Sequence, residues 1–208
     1  MDQDKLTYIN SPSQLREILG PVSERAKTKV RQKLTEIDRK WIAASPFCLV
    51  STSDKQGNCD VSPKGDPAGF TLVLDDHTLA IPERPGNRRA DGFHNILENG
   101  HIGILYIIPG RGDTLRINGQ AKIISEAPCF DQMITKGHRP ALALLVSIEE
   151  IFFHCSKAFL RSDFWEASSW NPNIVPSRAC IANQLENSGA SIQELETYYG
   201  DQYRKSMY

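Results

Sequence analysis

Residues 114–123, TLRINGQAKI, constrain the fold more than any other stretch of the chain. Leu115, Ile117, Gly119, Ala121 and Ile123 fall on one side of an extended backbone, and Thr114, Arg116, Asn118, Gln120 and Lys122 on the other. A period of two belongs to a strand with one face in a core and the other toward polar surroundings. An α-helix would scatter the same apolar residues around its circumference. The chain must therefore contain a sheet, and the neighbouring segments read as partners of this strand.

Just upstream, HIGILYII (101–108) is continuously apolar and predicts a strand buried on both faces, joined to the first by the turn PGRGD. PFCLVSTS, DKQG and NCDVSP read as strand, turn and strand. FTLVLDDHTLAIP reads as two strands about Asp75-Asp76, where aspartates serve turn hydrogen bonding rather than acid–base chemistry. A long strand is predicted over roughly 142–154. Six or so short strands without regular βα alternation predict a small antiparallel barrel rather than a doubly wound nucleotide fold. Around them, residues 11–44 read as helical, with Val30, Leu34, Ile37 and Trp41 spaced to share one apolar face. Asn87 reads as the N-cap of a helix carrying Ala90, Phe93, Ile96 and Leu97, stopped at Asn99-Gly100. A shorter helix is predicted near 126–135, and an exposed helix in the final IQELETYYGDQYRKSMY.

Lys and Arg number 24 against 25 Asp and Glu, a net charge of −1 that argues against a general nucleic-acid binder but leaves room for one local basic pocket. The five cysteines include no C-x-x-C pair, and the five histidines no H-x-x-x-H pair, so neither a disulfide framework nor a metal site is indicated. Phosphate-loop and nucleophile-elbow motifs are missing, and no catalytic acid, base or nucleophile can be assigned. The opening MDQDKLTYIN is polar, and no apolar run approaches the roughly 18 residues of a membrane span. A cytoplasmic chain without membrane contact is expected.

The polar concentration lies at strand ends. In PERPGNRRAD (82–91), Arg88 and Arg89 are predicted in the first turn of the following helix, where cations oppose the helix dipole. A phosphate would relieve that conflict, because guanidinium forks and helix N-termini both favour phosphate oxygens. A solvated basic turn paired with Glu83 and Asp91 accounts for these residues equally well. A second cluster, HCSKAFLRSDFW (154–165), spaces Lys157, Arg161 and Trp165 by four, as for one side of a helix. A surface helix and a ligand contact are equally compatible with it.

Four signatures, SPKGDP, PERPGNRR, PGRGDTLRING and HCSKAFLRSDFW, occur here in the order in which they occur in a branch of the flavin-binding split-barrel proteins of the pyridoxamine 5'-phosphate oxidase class. The chain resembles that family over roughly residues 12–165. The resemblance implies a mainly β fold with flanking helices (α+β): a six-stranded antiparallel split β-barrel, homodimeric, with FMN at the subunit interface. It divides the chain into an N-terminal helical segment (1–45), a split-barrel domain (46–165) and a C-terminal extension (166–208). By position, Arg88 and Arg89 match the pair that grips the FMN phosphate, and Pro82 and Glu83 match strand-end residues against the cofactor. Residues 59–64 match the strand along the isoalloxazine ring, with Ser62 and Lys64 next to it. Thr114 stands where the vitamin oxidases carry a flavin-contacting glutamine. Lys157, Arg161 and Ser162, from the late motif, are expected near the flavin or its phosphate, across the dimer. Arg84 falls outside the basic pair and is expected on the surface.

The tyrosine–arginine–serine set and terminal tryptophan–arginine motif that hold pyridoxamine phosphate in the vitamin oxidases do not occur in EAPCFDQMITKGHRP or DQYRKSMY. The implied function is thus an FMN-dependent oxidoreductase with a small substrate of unknown identity. The alternative is a non-enzymatic carrier or sensor of flavin, deazaflavin or haem.

Overall fold

A computed structural model of the chain describes residues 5–186, 189–205, 207 and 208. The chain divides into two compact units, one up to Val30 and the other from Arg31 onward.

The first unit holds helices α1 (Pro12–Leu19) and α2 (Glu24–Lys27). Ser11 caps α1 by accepting the Gln14 N–H at 3.2 Å, and Gly20, at φ 72°, ends it. Neither helix contains a buried residue.

The helical reading of residues 11–44 holds only in pieces. A new helix, α3 (Glu36–Ala44), starts after an extended stretch in which Arg31 exchanges two backbone hydrogen bonds with Ile151, at 3.0 and 2.7 Å. The predicted four-residue face is therefore broken. Leu34 and Trp41 are buried, whereas Val30 and Ile37 are 43% and 68% exposed. Thr35 and Asp38 form a capping box that begins α3. Asp38 is fully buried and receives the Arg31 guanidinium on both carboxylate oxygens, one of them at 2.9 Å.

The main unit is built on one antiparallel sheet of strands β1 (Phe47–Ser53), β2 (Cys59–Gly65), β3 (Leu72–Val73), β4 (Thr78–Pro82), β5 (His101–Ile107), β6 (Thr114–Ile124) and β7 (Ala143–His154). Pairing runs β2-β1-β5-β6-β7-β4-β3. The sheet has seven strands where the resemblance implied six; β3, two residues long, is the first of the pair read about Asp75-Asp76. The β1–β2 hairpin closes as its turn chemistry predicts. Asp54 accepts the N–H groups of Gln56 and Asn58, both at 2.8 Å, and Gly57 supplies φ 85°.

The alternation of β6 is realised in packing: Leu115, Ile117 and Ala121 are buried with Ile102, Ile104, Tyr106, Leu79, Ile81, Val146 and Ile151. Two details depart from it. Thr114, assigned to the polar face, is buried at the strand end opposite His154. A register shift lies between Asn118 and Gly119, where a Cβ would overlap the Ser147 carbonyl oxygen, so only glycine fits. Strand β5 buries Ile102, Ile104 and Tyr106 but leaves Leu105 and Ile107 half-buried and His101 exposed, so it is not buried on both faces.

Helix α4 (Asp91–Glu98) lies against β1, β2 and β6, with Ile96 buried and Asn95 donating to Thr52 at 3.1 Å. The predicted helix at 126–135 is a 3-10 turn over Pro128–Met133. After β7 come α5 (Lys157–Arg161), α6 (Arg178–Leu185), α7 (Ile192–Thr197) and α8 (Tyr203–Lys205). The expected terminal helix is broken at Gly200, whose ψ of −142° is non-helical. Ala179, Ala182 and Leu195 form a small core of their own in this region.

The sheet curls. Strands β2 and β4 have four strands between them in the pairing order, yet Lys64 on β2 forms an ion pair with Glu83, the residue after β4. Asp66 and Arg84, the next residues outward, form a second pair at 2.6 Å.

Candidate functional site

Where β2 and the end of β4 approach across the curl, they bound a cleft of about 1310 Å³. Its walls are β2, the 82–93 corner, the start of α4, Ile123 near the end of β6 and Ser125 just after it, and the 138–144 stretch running into β7. Ser62, Lys64, Pro82, Glu83, Arg88 and Arg89, six of the ten residues singled out from sequence, lie on this one cleft. Lys64 is held by Glu83 and sits 5.5 Å from the centre of the Phe93 ring.

The basic corner differs from expectation in one respect. Arg88 and Arg89 precede α4 rather than forming its first turn. Asn87 accepts the Arg89 N–H at 3.0 Å and shapes the turn, while Ala90 stands at the N-cap. Arg88 and Ala90 both adopt left-handed backbone, with φ of 61° and 58°, and a helix cannot begin through them. A left-handed residue other than glycine costs about 1–2 kcal/mol, so two of them in one exposed corner store backbone strain there. Arg89 pairs with Asp91 at 2.8 Å, and that hydrogen bond raises its already high pKa. Arg88 has no carboxylate partner among the described residues.

Arg84 is not a surface residue. Its side chain is 13% exposed, and it donates to Asp66 at 2.6 Å, to the Met133 carbonyl at 2.7 Å and to Thr135 Oγ1 at 2.8 Å. The Asp66 side chain is 1% exposed and also accepts the Tyr208 hydroxyl. The Tyr208 ring packs 5.7 Å from the His138 ring, beneath Lys136. This cluster ties the end of the SPKGDP signature to the PERPGNRR corner and to the 133–138 loop. Sequence reading noted the charges of both signatures but had no signal for their pairing, since Tyr208 stands 142 residues from Asp66.

The other four residues lie elsewhere in the chain. Thr114 is buried at the start of β6. Lys157, Arg161 and Ser162 belong to α5 and its end, where the Ser162 hydroxyl donates to the Ala158 and Phe159 carbonyls. Left-handed Asp163 (φ 49°) stops α5, so Trp165 does not continue the side formed by Lys157 and Arg161. Instead Trp165 Nε1 donates to the Arg111 carbonyl at 2.7 Å, and Arg111 lies 5.0 Å from the Trp41 ring. The late signature thus anchors the tip of the β5–β6 hairpin. Cys48, close to Lys64, is no nucleophile, because burial pushes its thiol up to about 12.

The fold is thus one antiparallel sheet with flanking helices, curled so that β2 and the end of β4 meet across a partly basic cleft. The pyridoxamine 5'-phosphate oxidase family model matches residues 34–155, more than half of the 208-residue chain, and the chain belongs to that family. Among solved structures it is similar to HupZ from Group A Streptococcus, at 22% identity and TM-score 0.47, covering 58% of this chain and 93% of that one. A Lactobacillus delbrueckii protein provisionally described as a pyridoxamine 5'-phosphate oxidase gives 22% identity and TM-score 0.46, covering 60% and 99%. An FMN-binding protein from Syntrophomonas wolfei gives 14% and 0.42, covering 57% and 89%. No curated protein matches the chain. Among the described residues no helix is long and apolar enough to cross a membrane.

Proposed function

We propose that the cleft binds FMN and that the protein is a homodimeric FMN-dependent oxidoreductase acting on a small molecule. Arg88 carries this reading: a cation on the cleft with no carboxylate partner among the described residues, on a strained loop directly before a helix N-terminus. Such a corner suits a phosphate monoester, which the guanidinium fork and the helix end both attract. Arg89 would share the phosphate by loosening from Asp91, and residues 59–64 would lie along the ring. The cleft, at about 1310 Å³, is not smaller than the roughly 300–1,000 Å³ of a site for one drug-sized ligand, which leaves room for a cofactor of this kind.

When bound, FMN supplies one- and two-electron redox chemistry at its ring. The chain's own part is to hold and orient it. Lys64, kept in place by Glu83, and the backbone N–H groups near Ser62 would stabilise negative charge on the ring, while Pro82 and Glu83 support its edge. Lys157, Arg161 and Ser162 lie off the cleft of their own chain, and in a homodimer they would serve the partner's cofactor, whereas Thr114 is buried within its own chain.

Titration with FMN, followed by quenching of its fluorescence, is expected to show saturable binding at micromolar concentration; no quenching would remove the reading. Arg88→Ala should weaken FMN by about 1.5–3 kcal/mol, as for a lost charged hydrogen bond, or roughly 10- to 150-fold in Kd. Unchanged affinity would place the phosphate elsewhere. Light scattering should give twice the mass of one chain, and a monomer would rule out a shared site.

A further inference from the structure

We propose that Tyr208 is a positioning residue for the cleft, bracing the 133–138 loop so that docking of the tail and binding of FMN strengthen one another; this rests on the FMN reading above. Thr135 and His138 exchange backbone hydrogen bonds at 3.2 and 2.9 Å around Lys136 and Gly137, whose φ values are 51° and 81°. A two-residue turn of this left-handed kind favours Asn or Asp before the glycine, so a lysine there is strained and the turn gains from outside support. Arg84 gives part of it, donating to the Met133 carbonyl, to Thr135 Oγ1 and, at 3.4 Å, to the His138 carbonyl. Tyr208 gives another part. Its ring centre lies 5.7 Å from that of His138 and 4.8 Å from Lys136 Nζ, a cation–π contact. Its hydroxyl donates to Asp66, the carboxylate that also holds Arg84. That hydrogen bond raises the phenol above its ordinary pKa, so the hydroxyl stays a donor at neutral pH. Tyr208 therefore touches the loop directly and steadies its other support through Asp66.

Arg84 and the run from His138 to Leu142 line the cleft, and Tyr208 stands behind that wall. The tail that carries Tyr208 has a base of its own. Among the described residues of 166–208, the buried side chains are Ala179, Ala182 and Leu195, packed with one another and against Ala190 and Tyr199. A segment with a small separate core can lift from the sheet without unfolding it. Fastening the tail at Tyr208 thus stiffens one wall of the cleft. FMN in the cleft would press on the same wall and hold the tail in return, because a coupling between two binding events is reciprocal.

The test compares the full wild-type chain with Tyr208→Ala and Tyr208→Phe, by FMN fluorescence titration and by hydrogen exchange with and without FMN. A wild type that binds no FMN loses both readings, whereas a wild type that binds FMN no better than Tyr208→Ala loses only this one. Tyr208→Ala should raise the Kd for FMN about tenfold, within the roughly 5- to 150-fold span of couplings between sites. Tyr208→Phe, which keeps the ring but not the hydroxyl, should fall between the two. Without FMN, the amides of 133–138 should exchange faster in Tyr208→Ala while β6 and β7 stay protected. In the wild type, FMN should slow exchange in the 203–208 tail as well as in 133–142. Exchange in the tail that ignores FMN would overturn the proposal. If Tyr208→Ala loosens β6 and β7 too, Tyr208→Phe decides: with the sheet protected as in wild type, weaker FMN binding upholds the brace and unchanged affinity overturns it.

Discussion

Arg84→Ala should destabilise the main unit by about 3–5 kcal/mol and weaken FMN binding with it. The cost arises on Asp66, whose side chain is 1% exposed and, among the described residues, would keep only the Tyr208 hydroxyl as a partner. Removing one member of a buried ion pair strands the other charge away from water, which costs far more than the pair contributes as a whole. The Met133 carbonyl and Thr135 Oγ1 would lose a donor as well. Urea denaturation reads the stability loss as a lower midpoint at unchanged slope. The effect on FMN would follow because Arg84 joins the 82–90 corner, which carries Arg88, to the 133–138 loop. Arg84→Lys should restore the charge but not the fork, and recover only part of both losses. A wild-type midpoint in Arg84→Ala would mean that the Asp66 carboxylate is satisfied by other groups.

The second large effect is expected at Arg31→Met, about 3 kcal/mol, at the lower end of the range for a broken buried pair. Asp38 is fully buried, but Thr35 would still donate to it through its N–H at 2.8 Å and its hydroxyl at 2.7 Å. In the native protein burial pushes the Asp38 carboxyl up, while hydrogen bonds from Arg31 and Thr35 outweigh it and leave the pKa below the usual carboxylate range. A depressed folded pKa contributes stability that is present above the unfolded value of about 3.9 and is lost as pH falls through the folded value. Without the guanidinium only the Thr35 hydrogen bonds oppose burial, and the Asp38 pKa should rise. The variant is then penalised most at neutral pH and relieved as Asp38 takes up a proton. The stability gap between wild type and Arg31→Met should therefore be widest at pH 7 and narrower near pH 4.5. Denaturation midpoints giving the same gap at both pH values would contradict this account.

Much of the sheet was legible because its signals are local. The period-two pattern of residues 114–123, the Asp54–Gly57 turn and the Asp75 turn act over a few residues, and the structure follows them. The helical reading of residues 11–44 failed for a non-local reason. Spacing at 30, 34, 37 and 41 satisfies a helix, but Arg31 finds backbone partners on Ile151, and Thr35 restarts the helix with its own cap. The N-cap reading at Asn87 failed because two left-handed residues intervene before Asp91. Six of the proposed residues line one cleft, and the other four do not. Arg84 was misread because basic residues in a turn are exposed by default, and only a carboxylate 18 residues away makes one worth burying.

By itself, then, the sequence determined an antiparallel sheet, its hairpins, its family and a basic corner between a strand end and a helix, all of them consequences of short-range pattern and motif. Tertiary structure alone decided which charges are free. Lys64, Arg84, Arg89 and Arg139 look as available as Arg88 in the sequence, but the curl of the sheet and the loops that pack on its edges give each of the four a carboxylate within ion-pair distance. Ion pairing depends on separations of a few ångströms in space, and positions along the chain do not encode those separations.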